Sequence, residues 1–403
     1  MLTPTWQRLR IPLPTTLPRR WHLPLCLLLI AWMASGCAST AHLPDVNLVD
    51  ANADAQTQAL YANLKRLAPE AVLFGHQDDL AYGVKWKREP GRSDVKDVAG
   101  AYPAVFGWEL ADLELGHEYN IDGVNFEDMK RWIKEGYTAG GVITIAWHLN
   151  NPVSGGNAWD TTSAVHTILP GGDNHETYKT WLDTFADFVE DLKVKSGFLG
   201  LGSNSIPIIF RPFHEHTGGW FWWGRGHVSP DDYKALWRFT VEYLRDEKGL
   251  HNLLYAYSPD HFTSQEEYLE RYPGNDYVDI FGYDDYGSLH SDDSIGRLTD
   301  NLRKVVQMAE ERDKFAALTE TGLEGIPDED WWTNRLLAAI ERDPVARRIA
   351  YALVWRNANE ADRPGHHYGP YAGHGSAPDF VRFYEHPFVL FADGLPNLYR
   401  WNP

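Results

Sequence analysis

Cysteine is almost absent from this chain, which has two in 403 residues. Cys26 lies within an apolar run near the N-terminus, so a chain cleaved after that run keeps only Cys37 and forms no internal disulfide. Three motifs are absent as well: Gly-x-Gly-x-x-Gly after an apolar run, Gly-x-Ser-x-Gly, and His-Glu-x-x-His. Their absence argues against dinucleotide binding, a serine hydrolase and a zinc peptidase.

Basic residues are few relative to acidic ones. The chain has 37 Lys and Arg against 56 Asp and Glu, a formal net charge of −19. The first 36 residues hold four arginines and no acid, so the remainder carries a charge close to −23. Such a surface argues against nucleic acid and anionic membrane as partners. The binding of a neutral polysaccharide is not opposed by the negative charge of this surface. The 17 Trp and 20 Tyr supply rings on which sugars stack.

Residues 21–34 form a short apolar run behind a basic segment, which is typical of a secretory signal and too short for a stable membrane span. The run ends in Ala34-Ser35-Gly36-Cys37, which resembles a bacterial lipobox. We therefore expect a signal peptide over residues 1–36, a lipid on Cys37 and a tether over 37–50. No aspartate directly follows Cys37, so we expect an outer-membrane lipoprotein of the bacterial cell envelope, with a secreted protein as the alternative.

Eight apolar or β-rich runs alternate with helical patterns along the rest of the chain. The runs are Ala71–His76, Ala104–Glu109, Gly141–His148, Ile206–His214, Asn252–Tyr257, Val278–Tyr283, Phe315–Glu320 and Ile349–Arg356. The clearest helical patterns are Phe126–Tyr137, His175–Lys195, Asp231–Lys248, Ile295–Arg312 and Asp330–Arg342. This order predicts a single α/β domain over residues 51–403, a (β/α)8 TIM barrel with enlarged loops.

The segment from Arg211 to Gly224 places a glutamate next to a wall of aromatic rings. It reads Arg-Pro-Phe-His-Glu-His-Thr-Gly-Gly-Trp-Phe-Trp-Trp-Gly and follows the fourth predicted strand. Active residues of this fold come from the carboxyl ends of the strands. A carboxylate there, beside flat rings, suits the cleavage of a sugar polymer, since glycosidic bonds break between paired carboxylates.

Glu320 is the predicted partner of Glu215. It ends the seventh strand, 105 residues after Glu215 at the end of the fourth. Strands four and seven face each other across an eight-strand mouth, so the two carboxylates can approach to roughly 5 Å, the separation expected of a retaining glycosidase.

These residues resemble glycoside hydrolase family 26, the β-mannanases, from about Leu73 to the end of the eighth strand. The resemblance rests on Phe74-Gly75-His76-Gln77, Arg211-Pro212-Phe213-His214-Glu215 with Trp220-Phe221-Trp222-Trp223-Gly224, Gly282-Tyr283-Asp284-Asp285-Tyr286-Gly287, Thr319-Glu320-Thr321-Gly322 and Val354-Trp355-Arg356-Asn357-Ala358. It implies hydrolysis of β-mannan or manno-oligosaccharides without a cofactor or metal, with Glu320 as nucleophile and Glu215 as acid/base.

The resemblance also implies which residues surround the substrate. Tyr286 matches the tyrosine that hydrogen-bonds the nucleophile, Trp220 the ring that stacks on the leaving-side sugar, and Trp355 the floor at the cleavage point. We expect Arg211 to brace the carboxylates and His214 to orient the site. The predicted substrate-binding set is His148, Trp159, Arg211, His214, Trp220, Asp284, Tyr286, Trp355 and Arg356.

Several alternatives stay open. A hydrolase of the same family acting on another β-glycan, such as β-1,3-xylan or mixed-linkage glucan, would share these motifs. A non-catalytic glycan-binding lipoprotein would keep the aromatics but has no need of both glutamates. The loop over residues 110–125 follows the second strand at the substrate face, where it could wall off the distal glycone sites. We therefore favour mannobiose release over random endo cleavage, by a monomer.

Overall fold

The computed structural model describes residues 45–197 and 201–401, and in these eight parallel strands close into a barrel. Each strand pairs with its neighbour in chain order, and β8 closes the ring against β1. The strands are β1 Val72–Gln77, β2 Val105–Glu109, β3 Val142–Trp147, β4 Ile208–Pro212, β5 Leu253–Tyr257, β6 Ile280–Asp285, β7 Phe315–Thr321 and β8 Ile349–Val354. A short strand, β9 Val389–Leu390, lies beside the start of β1.

Helices cover the outside of the barrel. They are α1 Ala55–Leu67, α2 Asp94–Ala99, α3 Phe126–Thr138, α4 Val165–Ile168, α5 His175–Glu190, α6 Pro230–Glu242, α7 Gln265–Leu269, α8 Asp292–Glu310, α9 Ala338–Glu341 and α10 Ala377–Tyr384. Turns of π-helix extend α6 over Tyr243–Glu247 and precede α9 over Trp332–Leu337. None of the described helices combines the length and apolar character needed to cross a membrane.

The barrel strands are buried along their whole length, as expected of strands covered on both faces. Helix starts are fixed by local chemistry. Ser229 accepts the N–H of Asp232 at 3.1 Å, and Pro230 occupies the first turn of α6, where its missing N–H costs nothing. The predicted start of this helix is thus confirmed.

The predicted eight-stranded barrel is confirmed, with strand ends shifted by one or two residues. One helix prediction is wrong at its end: α5 stops at Glu190, and Lys193–Ser196 is a strand of a hairpin with Gly202–Ser205. Along Lys193–Ser196, exposed and partly buried side chains alternate with the period of a strand. The predicted signal peptide and lipidated Cys37 lie outside the described residues.

Candidate active site

The carboxyl ends of the strands open onto a cavity of about 790 Å³. Seven predicted site residues line it: Glu215, Glu320, His148, Trp159, Trp220, Tyr286 and Trp355. A depression of about 890 Å³ lies on the outside of α3, away from every strand end that carries these residues. The chemistry therefore belongs to the smaller cavity, which we call the groove.

Glu320 is held by two donors at the end of β7. The guanidinium of Arg211 on β4 donates to one carboxylate oxygen, and the Tyr286 hydroxyl donates to the other at 2.6 Å. Arg211 also donates to Asp284 at 2.6 Å, beneath the groove. Burial opposes the charge of Arg211, but Asp284 and Glu320 outweigh it and raise its pKa. A permanent cation and a hydroxyl thus aim an ionised carboxylate at the groove.

Glu215 lies just past the end of β4 in a different environment. Its backbone φ is +53°, and that of Phe213 is +47°, a left-handed conformation that costs non-glycine residues of order 1 kcal/mol each. The main-chain N–H of Glu215 donates to Ser258 at 2.8 Å, and its carboxylate accepts the indole N–H of Trp220 at 2.7 Å. This strained turn directs the carboxylate away from the strand and into the groove.

The pKa of Glu215 is raised well above its usual value. Burial is the largest cause, followed by the negative charges of Glu320, Asp284 and Asp260. No lysine or arginine forms an ion pair with Glu215 in the part of the chain that the structure describes. One carboxylate is therefore paired with a cation, while the other favours its protonated form, which is the division that acid/base and nucleophilic roles require.

Three buried residues behind the groove form a hydrogen-bonded chain. His148 Nδ1 lies 2.6 Å from Glu109 Oε2, and the Nε2 atoms of His148 and His214 are 3.1 Å apart. Burial alone would lower the pKa of His148, but Glu109 raises it overall. Burial, then Arg211 and His148, lower the pKa of His214, so His214 is neutral. These hydrogen bonds fix the orientation of the His148 ring, which faces the groove.

Exposed aromatic faces flank the two carboxylates. Trp159 is 48% exposed and stacks on His148 at 5.1 Å with an interplanar angle of 12°. Trp220 is 39% exposed. Trp222 and Trp223 are instead fully buried, and their indole N–H groups donate to the carbonyls of Leu149 and His214. The aromatic wall of the sequence thus splits into open faces that suit sugar rings and core residues that support them.

Four predicted substrate-binding residues lie outside the groove lining. Arg211, His214 and Asp284 are buried beneath it. Arg356 faces a separate cavity of about 270 Å³, where it forms an ion pair with Asp122 at 2.6 Å and lies 3.4 Å from the Tyr82 hydroxyl. The structure brings the first three to the carboxylates and places Arg356 at a neighbouring opening.

The described residues contain no group of three or more His, Cys, Asp or Glu that could hold a metal ion. His216 packs against the rings of Tyr233 and Tyr257 at 4.6 and 4.7 Å. Burial, then Arg271 and Arg225, lower its pKa, so His216 is neutral and belongs to the aromatic core.

Several groove residues were not predicted from the sequence. Asp260 stands just past the end of β5, where the strand-end rule points. Glu109, which ends β2, lies behind the groove and supports His148. The others are Asp285 at the end of β6 and eight residues of loops and α8: Phe221, His261, Gly287, His290, Arg297, Gly322, Glu324 and Tyr368.

Comparison with known sequences gives one family and several relatives. The model of glycosyl hydrolase family 26 matches residues 49–357. A mannan endo-1,4-beta-mannosidase of Bifidobacterium adolescentis is 35% identical over 373 residues, which cover 88% of this chain and 36% of that protein. The mannan endo-1,4-beta-mannosidase A and B of Caldalkalibacillus mannanilyticus is 27% identical over 331 residues, 77% of this chain and 58% of that protein. The chain thus spans about a third of the length of the first of these relatives and somewhat over half of the length of the second.

Solved structures show the same fold. A GH26 beta-mannanase from Bacteroides ovatus superimposes with a TM-score of 0.80 at 46% identity, covering 86% of this chain and 97% of that one. A modular endo-beta-1,4-mannanase from Cellulomonas fimi also gives a TM-score of 0.80, at 36% identity, covering 89% and 80% of the two chains.

Proposed function

Because this chain belongs to glycosyl hydrolase family 26, we propose that it hydrolyses β-1,4-linked mannan and manno-oligosaccharides with retention of the anomeric configuration. One observation carries the proposal. Two glutamates from β4 and β7 line one groove, and only Glu320 is bonded to a cation, while the pKa of Glu215 is raised. The relatives named as mannan endo-1,4-beta-mannosidases support mannan as the substrate.

The first step is a displacement by Glu320. Its carboxylate oxygen bonds to the anomeric carbon as the glycosidic C–O bond breaks, and Glu215 gives its proton to the departing oxygen. In the second step Glu215, now ionised, takes a proton from water, whose oxygen attacks the same carbon and releases Glu320. Two inversions at one carbon give net retention. Arg211 and Tyr286 donate to the carboxylate of Glu320 and hold it in position for the attack.

The open aromatic faces would hold the sugars on either side of the cleavage point. Trp220 donates its N–H to Glu215 and exposes its ring, so a sugar stacked there places its glycosidic oxygen near the acid. Trp159 and His148 form a stacked pair on the other side of Glu215, beyond β3. This arrangement supports Trp220 on the leaving side and Trp159 on the glycone side.

We also propose that the enzyme releases mannobiose from chain ends. The Asp122–Arg356 ion pair joins the loop after β2 to the segment after β8, next to the glycone side. A bridge between these loops would limit how far the substrate extends in that direction. The relatives are named as endo enzymes, so a rapid fall in galactomannan viscosity at low reducing-sugar yield would contradict mannobiose release.

Product analysis tests the main proposal. The enzyme should cleave manno-oligosaccharides of three to six sugars (mannotriose through mannohexaose) faster than it cleaves β-1,3-xylan or mixed-linkage glucan oligomers. Proton NMR should show the β-anomer as the first product. Faster cleavage of xylan or glucan oligomers would favour another β-glycan as the substrate. Calorimetry with mannotetraose that shows steady binding without product would favour a glycan-binding protein.

A further inference from the structure

Asp260 is a groove residue without a partner of opposite charge. It follows β5, is partly buried and lines the groove together with Glu215 and Trp220. No ion pair joins its carboxylate to a lysine or arginine in residues 45–197 and 201–401. A carboxylate that faces solvent-filled space keeps free lone pairs for a ligand's hydroxyl groups.

The backbone fixes Asp260 next to the acid. Ser258 accepts the N–H of Glu215 at 2.8 Å, and Pro259 accepts the N–H of Asp284 at 3.0 Å. The segment before Asp260 is therefore tied both to the turn that carries Glu215 and to β6. Strands β3 and β5 flank β4 on opposite sides, so Asp260 lies on the side of Glu215 away from His148.

We propose that Asp260 is a positioning residue for the leaving group: it accepts a hydrogen bond from a hydroxyl of the departing sugar, and its negative charge acts on Glu215. The inference rests on the proposed function and identifies a residue that favours a sugar over other leaving groups. Trp220 supplies the flat face for this sugar and Asp260 the polar contact beside it.

The charges around Asp260 determine the direction in which it shifts the pKa of Glu215. It faces Glu215 beyond β4, Asp284 and Asp285 on β6, Glu320 on β7 and its neighbour His261. Burial and the charges of Asp285 and Glu320 raise the pKa of Asp260 to about 6, against the opposing His261. Above that pH Asp260 is an anion and helps Glu215 to keep its proton. Removing the charge therefore lets Glu215 ionise at lower pH, and activity is lost earlier on the basic side.

The test compares Asp260→Asn with Asp260→Glu on two substrates. For mannotetraose, Asp260→Asn should lower kcat/KM about fivefold to tenfold, because the amide oxygen accepts the sugar hydroxyl more weakly than the carboxylate does. It should also move the basic limb of the pH profile down by roughly half to one unit. Asp260→Glu should return the basic limb of the pH profile to its position in the unaltered enzyme. For 2,4-dinitrophenyl β-mannobioside, whose leaving group needs no proton and has no sugar hydroxyls, kcat/KM should change less than about twofold.

Glu190→Gln, an exposed change of the same kind at the end of α5, serves as the control and should move neither readout. Equal losses on both substrates, or an unmoved basic limb for mannotetraose, would overturn the inference. If Asp260→Asn fails to fold, Asp260→Ser provides the same comparison. Failure of the proposed function is distinguishable, because the unaltered protein would then cleave neither mannoside.

Discussion

Two glutamates of the same intrinsic chemistry differ here in what touches them. Glu320 accepts from Arg211 and Tyr286, whereas Glu215 accepts from Trp220 and faces three other acids. The partners of a carboxylate decide which form is stable, because a cation favours the charged form while burial and like charges favour the neutral one. The proposed roles follow from this difference.

Replacement of Glu320 by alanine should abolish turnover of mannotetraose, with a loss of at least about a thousandfold, because no other group can form the glycosyl intermediate. Sugar-release assays measure the loss, and circular dichroism checks that the fold is kept. Glu190→Gln should retain full activity. Substantial residual cleavage of a polymer by Glu320→Ala would contradict the assignment.

Glu215 should be distinguished by the leaving group. Glu215→Ala should lose about a hundredfold or more in kcat/KM for mannotetraose, because its departing oxygen needs a proton. Its kcat/KM for 2,4-dinitrophenyl β-mannobioside should stay close to that of the unaltered enzyme, while Glu320→Ala is inactive on both. Equal loss on the two substrates would argue against Glu215 as the acid.

The pH dependence of the unaltered enzyme follows from the same residue. In the proposed mechanism the first step needs protonated Glu215, and the protonated fraction falls as pH rises through its raised pKa. We therefore expect the basic limb of kcat/KM for mannotetraose to lie well above the usual pKa of a glutamate. A profile that already declines near pH 4.5 would contradict the protonated acid.

Two of the loops that follow strands meet at the cavity next to the groove. The loop after β2 contributes Asp122, the segment after β8 contributes Arg356, and their ion pair joins two parts of the chain that are distant in sequence. Nothing in the local sequence indicates this pairing, since each residue has many possible partners. The length of substrate that the enzyme can hold depends on it in our proposal.

Asp122→Ala should open the bridge between these loops. The expected result is a lower share of mannobiose and more mannotriose and longer products from mannohexaose, measured by chromatography at early times. Glu127→Ala, which removes an exposed acid from α3, is the matched control and should leave the product pattern unchanged. An unaltered pattern in Asp122→Ala would show that the bridge does not limit the substrate.

The strands and most of the helices were predictable because their signals are local. Each barrel strand is mostly apolar before its carboxyl end, and the Ser229-Pro230 pair marks the start of α6. The end of α5 was not predicted, because Lys193–Ser196 continues an amphipathic pattern and becomes a strand only by pairing with Gly202–Ser205. Trp222 and Trp223 show the same limit within the site, since burial is decided by what packs on them.

The whole molecule carries a strongly acidic charge, and we propose that a lipid holds it at the bacterial outer membrane. The proposal rests on the apolar run over residues 21–34, on Ala34-Ser35-Gly36-Cys37 and, for the outer membrane, on the absence of an aspartate directly after Cys37. Because the net charge of −19 gives no attraction to an anionic bilayer, the protein without its lipid should stay in solution.

Cys37→Ala should move the protein from the membrane fraction to the soluble fraction, and globomycin should cause accumulation of the uncleaved precursor. Cys26→Ala is the matched control and should leave the distribution unchanged. Fractionation followed by immunoblotting measures both. An unchanged membrane fraction in Cys37→Ala would end the lipid proposal and favour secretion or another mode of attachment.

The sequence by itself determined the barrel, the two glutamates and seven of the residues that line the groove, because strand order, the strand-end rule and the family motifs assign positions without knowledge of contacts. The tertiary structure alone decided which glutamate has the cation, which tryptophans are open, that Arg356 pairs with Asp122, and that Asp260 stands beside the acid. The physical reason is that protonation, exposure and ion pairing depend on groups brought together from distant strands, and only folding sets their distances and their access to water.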